Sequence, residues 1–244
     1  MIWSKYNASG NDFILSHAFA RADRQETARR LCNRVSGIGA DGLIVLLPHD
    51  RLDFEWDFYN SDGSRANMCG NGARAAALYA FECGLAREKM SFFTGAGAID
   101  AVVEQEGVRA QLTAHRVIGR DIRESGHSWF LVDTGVPHLV TFAELDAFDR
   151  LEARDLRRRY DANVNVAYVK NGAIWTRTFE RGVEGETLAC GTGMAACFVA
   201  ALEMEMILAN AKVYPKSGEE LRLSMIGDRV FLQGKVSRVF VAVL

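Results

Sequence analysis

Two short segments share a pattern suited to proton chemistry: Cys69-Gly70-Asn71-Gly72-Ala73 and Cys190-Gly191-Thr192-Gly193-Met194. Each opens an alanine-rich stretch without a long polar face, so each is expected to begin a buried helix. A helix N-terminus offers N–H groups that lack intrahelical partners, together with about half a positive charge. Glycines at that point let a ligand reach the bare backbone. A cysteine just ahead of such a turn is expected to have its thiolate favoured, below the ordinary pKa of about 8.5. One such turn is an anion pocket. Two facing each other would hold one carboxylate with a thiol on either side.

Other chemistries fit less well. Gly70-x-Gly72-x-x-Ala75 and Gly191-x-Gly193-x-x-Ala196 match a degenerate dinucleotide fingerprint, but no acidic residue closes a strand about 20 residues later. Cys32, Cys83 and Cys197 sit in helical, apolar surroundings and read as inert core thiols. The histidines (His17, His49, His115, His127, His138) show no metal-ligand spacing, so neither metal nor cofactor is expected. His138, after Gly135-Val136-Pro137, lies in a loop of active-site type, where a satisfied turn histidine is an equal alternative. Glu180-Arg181 precedes the second cysteine turn. Arginine can grip a carboxylate with two parallel bonds and glutamate can hold an ammonium, the two charged ends of an amino acid.

Positioning these groups requires a particular organisation. The cysteines are 190 − 69 = 121 residues apart, near half of the 244. Gly10-Asn11-Asp12-Phe13 pairs loosely with Gly135-Val136-Pro137-His138, and Asp41 to Val45 with Asn165 to Val169, at offsets of 125 and 124. Three matches in one order indicate a tandem duplication. The expected fold is α/β (α+β), with two pseudo-symmetric domains, each a curved sheet or barrel around a central helix. The halves are residues 1–113, joined by the last C-terminal strand, and 114–244. Alternating segments predict strands at 53–58, 98–104, 128–132, 164–169, 173–179, 220–225 and 236–243. Helices are predicted at 25–34 behind an Asp23 cap, 143–159, 70–83 with a stop at Gly84, and 191–206.

Composition narrows the function. With 29 Lys+Arg against 31 Asp+Glu there is no basic excess for a phosphate backbone, so nucleic acid is excluded as a partner. No run reaches the roughly 18 apolar residues that cross a bilayer. Five cysteines and the absence of a signal-peptide pattern at the N-terminus point to free thiols in a cytoplasmic protein.

The sequence resembles the diaminopimelate epimerase family. The resemblance rests on Gly10 to Phe13, Gly37 to Gly42, Phe58 to Ser64, Met68 to Arg74, Pro137-His138, Val164-Asn165, Glu180 to Gly182 and Glu186 to Gly193, in family order. It implies a cofactor-independent epimerase in which Cys69 and Cys190 are the two catalytic acid/bases. Gly70, Asn71, Gly191 and Thr192 would bind the reacting carboxylate. Asn11, Asn60, Asn165, Glu180 and Arg181 would contact the rest of the substrate, with His138 in support. Some members carry Gln where Gly42 stands here and Asn in place of Val136, two polar contacts that this chain lacks. The expected reaction converts LL-diaminopimelate to the meso isomer, with a small amino acid as partner and a homodimer as the assembly. A two-cysteine racemase of proline or hydroxyproline is the nearest alternative. A thiol redox protein is more remote, since Cys-x-x-Cys is absent.

Overall fold

The computed structural model describes residues 2–150 and 152–243. The fold is mixed α/β, rich in sheet and poor in helix, and the chain divides into two compact units, Met1–Gln111 with Gln233–Leu244, and Leu112–Leu232.

In chain order the first part contains β1 (Ile2–Ala8), β2 (Asn11–His17), α1 (Gln25–Cys32), β3 (Gly42–Leu47), β4 (Phe54–Asn60), α2 (Gly70–Glu82), β5 (Lys89–Thr94), β6 (Gly97–Glu104) and β7 (Gly107–Gln111). Then come β8 (Arg116–Glu124), β9 (His127–Asp133), β10 (Pro137–Phe142), α3 (Ala147–Arg150), α4 (Ala153–Tyr160), β11 (Asn163–Lys170), β12 (Ala173–Glu180) and β13 (Gly185–Thr187). The chain closes with α5 (Gly191–Glu203), β14 (Asn210–Tyr214), β15 (Leu221–Ile226), β16 (Arg229–Gly234) and β17 (Val236–Val243).

Within each unit the pairing follows one scheme. In the first, β2 runs parallel to β3, β3 antiparallel to β4, β4 parallel to β5 after the α2 crossover, and β5 antiparallel to β6. In the second, β10, β11, β12, β14 and β15 repeat this series, with α5 as the crossover. β17 pairs antiparallel with β1, and so belongs with the first unit.

The register corrects one repeat correspondence. Phe13 lies opposite Gly42 and His138 opposite Asn163, so Gly42 matches Asn163 at an offset of 163 − 42 = 121, the same as the cysteines. The offset of 124 expected for this strand is three residues too long. An odd slip along a strand exchanges its faces.

The two central helices are mostly apolar because each is largely enclosed. Ala73, Ala75, Ala76, Ala77 and Ala80 of α2 are buried, and Met194 to Ala201 of α5 likewise. Such small side chains let strands pass close to the helix backbone, and the larger residues around them fill the core: Tyr6, Phe54, Trp56 and Phe92 in one unit, Val132, Val140, Val213 and Leu223 in the other.

Helix boundaries also differ from expectation. The stretch 143–159 forms two short helices, α3 and α4, and Leu151 between them lies outside the described residues. Asp23 accepts from the Gln25 N–H, but the cap position of α1 is Arg24, with no side-chain cap bond.

Gly42 is fixed by packing. A Cβ there would lie 2.7 Å from Phe58 Cε2 and 2.9 Å from the Tyr59 carbonyl oxygen. The ring of Phe58 fills the space that a longer residue at 42 would need. Gly42→Ala is therefore expected to destabilise the protein by about 1–3 kcal/mol, the usual cost of overpacking. Urea unfolding checks this, and an unchanged midpoint would show that β3 and β4 yield freely.

Candidate active site

Both cysteines occupy N-cap positions with extended backbones, Cys69 at φ −150° and Cys190 at φ −128°. Their carbonyls accept the first intrahelical bonds, from Ala73 at 2.8 Å and Met194 at 2.9 Å. The helix then turns over a strand at very close range. A Cβ on Gly193 would lie 2.6 Å from Asn165 Oδ1, so that position has no room for a side chain, and one on Gly72 would lie 3.1 Å from Ile44 Cδ1, a tight fit.

In the first half-site the Cys69 sulfur accepts the Gly72 N–H at 3.4 Å and lies 3.7 Å from Asn11 Oδ1. Asn11 donates through Nδ2 to Asp41 at 2.5 Å, which turns its oxygen toward the cysteine. Behind it Asp12 is buried against Lys5 and Arg34. Burial would raise its pKa, but the two cations hold the carboxyl at about 2. Asn71 contacts Asn11 through Nδ2 and accepts from Arg74, a fully buried side chain that also donates to Ser9 at 2.7 Å. Asn60 is exposed at the end of β4 and donates to Ser64. Gly70 is partly open to solvent.

In the second half-site the Cys190 sulfur is 3.5 Å from Thr192 Oγ1, and the Thr192 carbonyl accepts from Thr134 at 3.0 Å. The segment that carries Glu180 and Arg181 toward Cys190 is pinned by Arg177, which grips Glu186 with bonds of 2.6 and 3.0 Å and also pairs with Asp149. Arg181 donates to the Asp161 carbonyl and carboxylate at 2.9 and 2.8 Å and keeps its side chain 31% exposed. Gly191 and Thr192 are partly open.

Among the expected substrate contacts, Asn165 stands apart. Asn165 is fully buried, and its amide is used internally: Nδ2 donates to the Leu139 carbonyl at 2.8 Å and meets His138 Nδ1 at 3.1 Å, while Oδ1 accepts from Thr178 at 2.8 Å. It is part of the floor beneath α5. The expectation of favoured thiolates is corrected: the helix-end N–H groups lower each thiol pKa, but burial raises it more. Burial raises the pKa of Cys69 against the Gly72 and Asn71 N–H groups and the Arg74 charge. Burial, then the Glu180 carboxylate, pushes Cys190 up to about 11. Desolvation of the anion outweighs the helix dipole. Sequence reasoning missed Asn163, whose Oδ1 accepts the Arg181 backbone N–H at 2.6 Å. The signal was its match to Gly42 at the offset of the cysteines.

Among the described residues no group of metal-ligating side chains and no helix long and apolar enough to cross a membrane is found. A family model described as diaminopimelate epimerase matches residues 3–117 and 130–239. The chain belongs to the diaminopimelate epimerase family. It is 56% identical over 238 residues to the diaminopimelate epimerase of a Nitratiruptor species, covering 97% of this chain and 95% of that one. It is 40% identical over 263 residues to the diaminopimelate epimerase of Helicobacter pylori, covering 100% and 96%. Members of this family are isomerases, and so is this chain. Among solved structures, a PhzF-family phenazine biosynthesis protein of Bacillus anthracis matches with a TM-score of 0.75 at 14% identity, covering 100% and 99%. A probable proline racemase of Agrobacterium radiobacter matches with a TM-score of 0.72 at 14% identity, covering 100% and 92%. At these identities the likeness is one of fold.

The raised thiol of Cys190 has a measurable consequence, because the thiolate is the nucleophile. Alkylation of Cys190 by iodoacetamide, followed by peptide mass spectrometry, is expected to be about tenfold or more slower at pH 7.5 than that of a free cysteine. The rate should climb with pH toward about 11. A rate already flat at pH 8 would mean that the helix end has won after all.

Proposed function

We propose that the chain interconverts LL- and meso-diaminopimelate without a cofactor, through Cys69 and Cys190 acting on opposite faces of one α-carbon. The observation that carries this reading is the repeated one: a cysteine at the N-cap of a buried, glycine-opened helix, once in each unit. In one direction the Cys69 thiolate removes the α-proton while the Cys190 thiol delivers another to the opposite face; in the reverse direction the roles exchange. The charge left on the substrate spreads onto its carboxylate. N–H groups at the two helix ends, Gly70 and Asn71 on one and Gly191 and Thr192 on the other, are suited to meet it.

Arg181 and Glu180 suit the carboxylate and ammonium of the second head of the substrate, with Asn11 and Asn60 as further polar contacts. That demand for a second zwitterion favours diaminopimelate over proline or hydroxyproline. The reading also takes the enzyme as cytoplasmic, supported by five cysteines that are all free thiols, and as a homodimer, which sedimentation checks.

Proton exchange followed by NMR in D2O tests the mechanism. Early product should carry deuterium at the inverted centre while recovered substrate carries little. Cys69→Ala and Cys190→Ala should each lose interconversion in both directions by at least about 10²–10⁴-fold. Either variant retaining near-normal rates would reduce the chemistry to one unit.

Arg181→Ala should lower kcat/KM by the equivalent of roughly 2–5 kcal/mol while leaving the fold intact, as for other desolvated arginine–carboxylate bonds. An unchanged kcat/KM would make Arg181 only the ion-pair partner of Asp161.

A further inference from the structure

The floors beneath the two cysteine helices differ although their strand registers match. In the first unit Phe13, opposite Gly42, and the facing pair Ile44 and Phe58 lie below the N-terminus of α2. In the second, the matching register positions hold His138, opposite Asn163, and the facing pair Asn165 and Thr178. Burying polar groups in place of rings and an aliphatic branch is costly unless each finds a partner. Here the partners form a chain with a direction. Thr178 donates to Asn165, Asn165 meets His138 Nδ1, and His138 Nε2 accepts from Asn163 Nδ2 at 3.2 Å. Asn163 in turn accepts the backbone N–H of Arg181. The first unit buries no such chain at these positions, and its residue matching Glu180 across the strand pair is Asn60.

The orientation of the Asn163 amide is set at both ends. Its oxygen is used by the Arg181 N–H, so its NH2 needs an acceptor, and the His138 ring nitrogen supplies one. Asn163 and His138 are 3% and 0% exposed, so water does not compete.

We propose that His138 is a positioning residue: acting through Asn163, its ring fixes the backbone at Arg181 and thereby aims the guanidinium at the substrate, and it moves no proton itself. This rests on the reading of Arg181 as a carboxylate-binding group. A proton-transfer role is at odds with the surroundings of the ring. With Nε2 accepting from Asn163, the one proton of the neutral ring sits on Nδ1 beside the Asn165 amide, and a second proton would point at the Asn163 NH2, which is no acceptor. Burial, helped by the Arg181 charge and opposed by the Asn165 hydrogen bond, brings the pKa down to about 3.

Two conservative variants separate the routes. His138→Gln sets an amide near the place of Nε2, facing Asn163. His138→Asn sets one near the place of Nδ1, facing Asn165. The Gln variant should keep KM for LL-diaminopimelate within about twofold. The Asn variant should raise KM about three- to tenfold, the loss of one net hydrogen bond, with kcat changed less than about twofold in both. Equal KM values in the two variants, or a fall in kcat at unchanged KM, would overturn the proposal. Arg181→Ala, measured alongside, keeps the two readings apart: an inert Arg181 defeats the parent reading, whereas a needed Arg181 with indistinguishable position-138 variants defeats this one. Where neither variant folds, nitrogen NMR of the wild-type enzyme decides. A neutral His138 ring at pH 5 supports the proposal, and an imidazolium at pH 6 refutes it.

Discussion

How closely a strand can pass under the first turn of a helix governs both half-sites. With no side chain at Gly72 or Gly193, Ile44 and Asn165 press against the helix backbone. That contact seats the helix inside its sheet, places the cysteine at the rim of the first turn, and removes water from around the sulfur. The alanines that follow continue the same close approach, so a sheet can wrap a helix that has no polar face to show. The chemistry of the cysteines is therefore settled by packing before any charge is considered.

The electrostatic outcome follows. Helix N–H groups stabilise a thiolate, but burial destabilises it more, and at Cys190 the Glu180 carboxylate adds to the penalty. For a reaction that removes hydrogen from carbon this is an advantage. A thiolate that is costly to form is a stronger base once formed, and the gap to a weakly acidic C–H narrows accordingly. In the proposed reaction the same helix ends would also meet the carboxylate charge as it develops.

Much of this was legible in the sequence, for definable reasons. The cysteine-glycine turns and the alanine runs stand out because few other structures need them. The strand Gly42–Leu47 did not stand out, since it is buried on both faces and shows no alternation. Asn165 was read as a substrate contact from the family resemblance alone. In the structure its amide meets a histidine and a threonine in the interior, which only the partners reveal. Asn163, two residues earlier on the same face of the strand, was given no role because an isolated asparagine reads as turn chemistry. Pairing register, not residue identity, carries the correct equivalence.

The two ends of the chain meet in one ladder: Ile2 lies opposite Val243, and Ala8 opposite Val236. During synthesis β1 emerges well before β17, so one side of β1 stays unpaired until β17 has been made. The unit spanning Leu112–Leu232 is continuous and meets no such delay. Closing the β1–β17 ladder joins residues separated by nearly the whole sequence, a long-range contact that a folding chain makes slowly. The unit that carries Cys69 is thus begun before the other and completed after it.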